Sequence, residues 1–563
     1  MNAPSASVSI ALAGSGGAGV MTAGNMLLEA AALAGYYGLM TRTSGPQIRG
    51  GEAAAMVRVS TFPTDGQDDR FQVLAAIDWQ NVGRFAAEIP LGPSSLIVGD
   101  PAQGEPPEVF TRSGARFVPV PLKALAAQVK GAWPNMIALG VLARLAGLSA
   151  GALEAAAVKS MKKGLDAGLA ALRLGMAQAA GIEGFGLQKP PAKSGRWLIT
   201  GNEAAGYGAL RGGVRFVAAY PITPATELLE WLAPALAKIG GVLVQAEDEL
   251  ASINMALGAS FGGVPSLTAT SGPGLALMIE SLGLGVAAEI PLVVVDVMRT
   301  GPSTGIATKS EQADLNLALY GLHGDAPHLV VAPNSLIDCM AATEWAVGLA
   351  ESLQVPAIVL SDQYFGQARG VVDPPVLESA PAERLRAESA QNYKRYCLTP
   401  SGISPMAIPG TPGVTYTADG LEHNERGTPS SQAADHAAQM DKRARKLAQL
   451  DPGDRWASVE GDGETAVLTF GSCTGPAREA LARNGASARL VSLRLLSPAQ
   501  PARLKRALEG VKRVLVVEQN HGGQFLRHLR AEYELPGDVK SLRRPGPLPF
   551  RPEEIQNALV NWS

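Results

Sequence analysis

Tyr220-Pro-Ile-Thr-Pro-Ala-Thr226, Glu247-Asp-Glu249 and Thr270-Ser-Gly-Pro-Gly274 are the stretches that decide how this chain folds. Each follows a short run of apolar and small residues and leads into a helical pattern, so each reads as a turn at the carboxyl end of a strand. In the first, Pro221 and Pro224 restrict the backbone on either side of Thr223 and aim its hydroxyl at one place. The second carries carboxylates, and the third, Ser271 to Gly274, lets backbone come close to a flat ligand. Three strand ends in order gather a pocket on the rim where open α/β sheets bind ligands.

Working outward, the same alternation recurs along the chain. Strands are expected at Val214 to Ala219, Gly241 to Ala246, Ser266 to Ala269, Leu292 to Val297, His328 to Val331 and Ala357 to Leu360, with helices between them. That alternation implies a parallel sheet with helices on both faces. Upstream, Val8 to Ala13, Ala53 to Val59, Val73 to Ile77, Ser95 to Val98 and Phe117 to Val120 read as strands, and helices from Pro134 close a first domain. Downstream, Thr465 to Phe470, Ala488 to Leu493 and Arg513 to Val517 form a smaller α/β unit.

A length of 563 residues exceeds one hydrophobic core. The fold class is α/β, multi-domain, with parallel sheets flanked by helices. The expected divisions are 1–187, a linker 188–196, 197–375, an irregular connection 376–463 and a last domain 464–563. The connection either packs over its neighbours or is partly mobile.

A formal net charge of −3 argues against nucleic acid or an anionic membrane as partner. The basic run Lys442 to Lys446 reads as one solvated helix face. No apolar run reaches membrane-spanning length and no secretory leader pattern opens the chain, so the expected location is cytoplasmic. Cys339, Cys397 and Cys473 lie far apart, which excludes a cysteine-ligated cluster built from this chain alone and suggests small buried side chains.

The three turns, together with Arg299-Thr-Gly-Pro-Ser-Thr304, Thr308-Lys-Ser-Glu-Gln-Ala-Asp314, Gly420-Leu-Glu-His423 and Val517-Glu-Gln-Asn-His-Gly-Gly-Gln524, resemble the 2-oxoacid:ferredoxin oxidoreductases. These are thiamine diphosphate enzymes. The resemblance implies a gamma domain at 1–187, a pyrimidine-binding domain at 197–375 and a transketolase C-terminal-like domain at 464–563. It also implies oxidative decarboxylation of a 2-oxoacid, electron delivery to ferredoxin and acyl transfer to coenzyme A.

Thiamine chemistry needs a carboxyl hydrogen-bonded to N1′ of the aminopyrimidine, because this favours the imino tautomer that removes the C2 proton. Glu249 is the choice among the three acids, since it opens the helix Leu250 to Ser260 and stands nine positions before Gly258, an interval similar to that of the family. Acids that merely suit a helix's first turn would fit Glu247 and Asp248 equally well. By resemblance, Thr223 meets the substrate's carboxylate or keto oxygen, and Pro221, Ile222, Ser271 and Gly272 line the cofactor. Arg299 has the planar fork that a carboxylate demands, an exposed ion pair being the alternative. Lys309, His323 or a lysine of a partner subunit are candidates for a second substrate carboxylate.

At the N-terminus, Gly14-Ser-Gly-Gly-Ala-Gly19 satisfies the dinucleotide fingerprint between a strand and a helix. The acid expected about twenty residues on is missing from Tyr37 to Thr43, although Arg42 leaves an NADP-binding reductase open. By resemblance, Gly16 and Gly17, with Arg49 of the signature Gly45 to Glu52, serve assembly or approach coenzyme A. A purely structural turn accounts for them as well.

The turn Gly461-Asp-Gly463 lacks an asparagine at the interval a diphosphate-bound Mg²⁺ needs and reads as a loop. The resemblance therefore implies half a site. A beta subunit would bring Mg²⁺, the diphosphate and a four-iron, four-sulfur cluster, in a dimer of heterodimers. The expected substrate is 2-oxoglutarate, with pyruvate or a branched-chain 2-oxoacid as alternatives and reversal of the reaction left open. A non-catalytic assembly subunit is the remaining reading.

Overall fold

The computed structural model describes residues 5–45, 51–190, 195–377, 382–387, 391–484 and 488–562. Arg49 lies outside them. The chain divides into two compact units, one formed by Met1–Thr200, Gln367–Val376 and Phe550–Glu554, the other by the remainder.

The first unit is built on an eight-stranded sheet. Its order is Arg116–Pro119, Leu96–Gly99, Val73–Ala76, Ser7–Gly14, Ala53–Ser60, Tyr37–Ser44, Arg369–Val372 and Trp197–Thr200. The first four strands are mutually parallel, whereas Ala53–Ser60 runs antiparallel to both its neighbours. This sheet is mixed, its four parallel strands being extended by an antiparallel block. The helices Val20–Leu33 and Pro134–Ala146 are alanine-rich and buried along most of their length, which lets them approach the sheet closely.

The last two strands differ from the expected boundary at residue 197. Trp197–Thr200 and Arg369–Val372 pair with each other, and the latter continues the ladder onto Tyr37–Ser44. Side chains reinforce this edge. Tyr37 donates to Asp373 at 2.8 Å, Arg369 donates to Asn25 at 2.9 Å, and the Arg196 guanidinium lies over the Tyr37 ring.

The second unit holds a seven-stranded sheet in the order Leu495–Ser497, Leu329–Val331, Pro356–Asp362, Leu292–Met298, Ser266–Thr270, Phe216–Ala219 and Val242–Gln245. All pairs are parallel except the first. Leu292–Met298 is buried at every position, as a central strand covered on both faces requires. A five-stranded sheet follows, ordered Ala457–Glu460, Ala488–Leu493, Thr465–Thr469, Arg513–Glu518 and Asp538–Arg543.

The irregular connection is fastened to the second unit by buried charge. Arg384 donates to both oxygens of Glu351 at 2.7 Å and to the Ser260 carbonyl at 2.5 Å. The basic run on helix Ala433–Ala448 corrects our expectation of a solvated face, because Lys442, Arg443 and Lys446 are buried. Lys442 and Lys446, one helical turn apart, each donate to Glu289 at 2.5 Å, and Arg395 donates to the Glu289 carbonyl at 2.8 Å. Burial works against the Glu289 carboxylate, but Lys446, Lys442 and Arg395 outweigh it and hold its pKa at about 2. Burial pushes the Lys446 ammonium down to about 7 against the pull of Glu289. His423 stacks on the buried Tyr396 ring at 3.7 Å and bonds the Ala287 carbonyl, so the Gly420 to His423 motif belongs to the same anchor.

Breaking this cluster strands two buried ammoniums. Glu289→Gln is expected to destabilise the second unit by about 3–5 kcal/mol, read as a lowered denaturant midpoint. In the wild type the Glu289 contribution is present above the ordinary carboxylate range and is lost as pH falls towards about 2, because its folded-state pKa is depressed. Acid titration of the melting temperature, wild type against variant, checks this.

Candidate functional site

The site lies at a topological switch point of the seven-stranded sheet. Phe216–Ala219 neighbours Val242–Gln245 on one side and Ser266–Thr270 on the other. The connection leaving Phe216–Ala219 runs to the edge strand, while that leaving Ser266–Thr270 runs inward to Leu292–Met298. A crevice opens at the carboxyl ends of two adjacent strands whose connections part in this way. The Thr223 turn and the Ser271 turn flank it.

On the first side, the Ile222 carbonyl accepts from the Ala225 and Thr226 amides at 2.8 and 3.0 Å, closing a tight turn around Thr223. Asn202, buried, donates to the Pro224 carbonyl at 2.9 Å and secures the turn from behind. Arg299, just past Leu292–Met298, donates from Nη1 to the Thr223 carbonyl at 2.6 Å. Arg299 is 7% exposed, which sets aside the exposed ion pair weighed for it. Its Nε has no protein partner, so the Nε–Nη2 edge is the one left to grip a carboxylate. Burial pushes its pKa down, and Asp314 pulls the other way.

The three acids after Val242–Gln245 separate cleanly. Glu247 is exposed. Asp248 caps the helix Glu249–Phe261, accepting from the Ala251 amide at 2.7 Å. Glu249 is buried and reaches across to the helix Gly272–Ala287. A Cβ on Gly274 would lie 2.7 Å from Glu249 Cγ and 2.8 Å from its Oε1, with the Thr270 hydroxyl on the same spot. Glycine at 274 is thus a condition of the Glu249 position.

Two carboxyl groups complete the site, and both escaped the sequence reading as functional groups. A Cβ on Gly272 would lie 2.5 Å from each oxygen of Asp314. Asp296 is buried inside Leu292–Met298, in register with Thr270. Burial raises the Asp296 pKa well above the ordinary range, with Asp314 adding to the effect. Burial and then Glu311 push Asp314 up to about 7, while Arg299 opposes them. A lone acid within an apolar parallel strand was the readable signal for Asp296.

Lys309 sits half-buried where the loop after Arg299 returns, its carbonyl accepting from the Thr300 amide at 2.9 Å. His323 is exposed beyond the helix Leu315–Tyr320. Gln312 is structural. Its amide donates to the Phe470 carbonyl at 2.9 Å and accepts from the Gln519 amide at 2.9 Å. Glu518 caps the helix Gln524–Glu532 by accepting from the Phe525 and Leu526 amides, so the Val517 to Gln524 motif serves packing. Cys339 and Cys473 are buried as expected, but Cys397 is half-exposed. Gly461 to Gly463 is a loop before Thr465–Thr469. Among the described residues no cluster of His, Cys, Asp and Glu is arranged to hold a metal, and no helix is long and apolar enough to cross a membrane.

In the first unit, Gly16 and Gly17 are exposed. The Ser15 amide and hydroxyl both donate to Asp78, the hydroxyl at 2.7 Å, so a carboxylate of the chain already takes the loop's first donors, which disfavours a phosphate there. Ala53–Ser60 also separates the strands on either side of the first helix, and Tyr37–Ser44 carries no acid. The nucleotide-binding alternative loses its geometric support.

A switch-point crevice with a buried acid at one strand end and a glycine turn at the next defines the pyrimidine half of a thiamine diphosphate-binding fold. The family model for the thiamine diphosphate-binding part of pyruvate flavodoxin/ferredoxin oxidoreductase matches residues 207–442, and that for pyruvate ferredoxin/flavodoxin oxidoreductase matches residues 9–178. The 2-oxoglutarate oxidoreductase subunit KorA of Mycobacterium tuberculosis is 32% identical over 97% of this chain and 90% of its own. The 2-oxoglutarate synthase subunit KorA of Methanothermobacter marburgensis is 34% identical over 98% of its length and 65% of this chain. A solved 2-oxoglutarate:ferredoxin oxidoreductase from Magnetococcus marinus, with 2-oxoglutarate, coenzyme A and succinyl-CoA bound, matches at TM-score 0.90 and 36% identity over 99% of both chains. The chain belongs to the 2-oxoacid:ferredoxin oxidoreductases, as an alpha subunit.

Because Gly274 leaves room for the acid, Gly274→Ala is expected to displace Glu249 and lower kcat/KM about a hundredfold, the scale of a misplaced reacting group. Steady-state turnover of the assembled enzyme measures it.

Proposed function

We propose that this chain acts on 2-oxoglutarate, converting it with coenzyme A and oxidised ferredoxin to succinyl-CoA, carbon dioxide and reduced ferredoxin. The observation that carries the reading is Glu249, buried and held against Gly274 at the switch point. The resemblance to a solved enzyme with 2-oxoglutarate, coenzyme A and succinyl-CoA bound supports the choice of substrate.

The residues present fit thiamine diphosphate. Glu249 offers a buried carboxyl, Gly274 makes the room that carboxyl needs against the turn, and the buried Ser271 hydroxyl lacks a protein partner. When bound, the cofactor supplies an acidic carbon that adds to the oxo group and holds the electron pair left by carbon dioxide. Glu249 would hold the proton at the ring's N1′, with Pro221 and Ile222 shaping the wall beside it. Thr223 and Arg299 would fix the substrate carboxylate, and Lys309 is the chain's candidate for the second one. The exposed Gly16 and Gly17, with Arg49, are offered to coenzyme A or to assembly.

A second polypeptide completes this reading. It would hold the diphosphate, Mg²⁺ and a four-iron, four-sulfur cluster in a dimer of heterodimers. Val242, Leu250, Met255 and Leu277 are each exposed by about half on the elements that carry the site, and apolar side chains exposed beside it suit such a subunit.

The purified two-subunit enzyme should turn over 2-oxoglutarate in preference to pyruvate and branched-chain 2-oxoacids, and a preference for pyruvate would overturn the substrate assignment. Glu249→Gln should lower kcat roughly 10²–10⁴-fold, as loss of a proton-handling group does; full turnover would point to a non-catalytic subunit. Arg299→Lys keeps the charge and loses the fork, so KM for the 2-oxoacid should rise about tenfold.

A further inference from the structure

Three consecutive carbonyls of the Thr223 turn are each held by a donor. The Ile222 carbonyl takes the Ala225 and Thr226 amides, the Thr223 carbonyl takes Arg299 Nη1 at 2.6 Å, and the Pro224 carbonyl takes Asn202 Nδ2 at 2.9 Å. A peptide unit is planar, so fixing its carbonyl fixes the whole plane, and the three bonds together set the backbone on both sides of the Thr223 side chain. The first bond is made within the turn, and the second comes from the residue read above as the grip on the substrate. Asn202 reaches the turn from another helix and has no part in that grip.

Asn202 is 1% exposed and lies in the first turn of the helix Gly201–Arg211. That helix is seated too closely to shift. A Cβ on Gly201 would collide with the Phe365 carbonyl, and one on Gly208 with the Met340 carbonyl of the helix Asp338–Leu353. The Asn202 amide itself is wedged, because a Cβ on Gly366 would lie 3.0 Å from its Oδ1, 3.3 Å from its Cγ and 2.9 Å from Val297 Cγ1. A carbonyl can only accept, so the NH₂ end of the amide must face Pro224, and burial at this point favours a donor without charge.

We propose that Asn202 is a positioning residue for the substrate: by holding the Pro224 carbonyl it aims the Thr223 hydroxyl at the 2-oxoacid, and it affects binding only through Thr223. Gly366 belongs to the same device, since it leaves the amide its place. The proposal rests on the reading of Thr223 given above.

The test uses the assembled two-subunit enzyme with 2-oxoglutarate, coenzyme A and ferredoxin. Asn202→Leu fills similar space and removes the donor. KM for 2-oxoglutarate should rise roughly tenfold, the scale of one hydrogen bond. A variant that merely folded less well would lower the apparent kcat and leave KM alone. In a Thr223→Val background the same substitution should change KM by less than about twofold, because the group it positions is already gone. An unmoved KM in Asn202→Leu, or a rise of the same size that persists in the Thr223→Val background, overturns the proposal. Should Asn202→Leu not assemble, Gly366→Ala presses on the amide from outside the turn; it should raise KM in the same direction and lose that effect in Thr223→Val, and either failure overturns the proposal equally. Thr223→Val alone separates the two readings. A wild-type KM there discards the role given to Thr223 and this proposal with it, whereas a raised KM there beside an unmoved one in Asn202→Leu sinks this proposal alone.

Discussion

The Gln312 side chain is the constraint on which the site depends. It is wholly buried, and its amide meets backbone groups of Phe470 and Gln519, while its own amide donates to the Gln519 carbonyl at 2.8 Å. A buried amide satisfied at both ends contributes modestly, but removing it would leave several backbone groups without partners, each costing about 1–3 kcal/mol. That asymmetry locks the segment from Ser310 to Asn316 to the five-stranded sheet. The same segment carries Asp314 under Gly272, so the geometry of the crevice is set by residues some 160–200 positions further along the chain.

A second lock operates through charge. Glu289 sits buried after the helix Gly272–Ala287 and gathers Lys442, Lys446 and the Arg395 guanidinium around it. Dense ionic contact explains how a stretch with little regular structure can keep a fixed course. Its anchors sit at the far end of the helix whose first turn holds the site, so that helix is fixed at both ends.

The turns at Thr223, Glu249 and Ser271 were legible because each is a local event, a strand run closed by Pro, Gly or acid. Most strand positions in the seven- and five-stranded sheets followed for the same reason, whereas the edge strands Ala457–Glu460, Leu495–Ser497 and Asp538–Arg543 did not. What stayed hidden depends on register and strand order. Asp296 and Asp314 meet only through the folding of the segment after Arg299, and the switch point appears only when Phe216–Ala219 is seen between its neighbours. Lys442 and Lys446 looked like solvent-facing residues because their partner Glu289 lies 153 and 157 positions away. Trp197–Thr200 and Arg369–Val372 joined the first sheet by a pairing no local pattern reveals.

Leu495–Ser497, which follows directly on Ala488–Leu493 of the smaller sheet, crosses over to become the outer strand of the larger one beside Leu329–Val331. The two sheets are therefore linked through their backbones. Loss of order in one would strip backbone partners from the edge of the other, so local opening of either is expected to be felt across that seam.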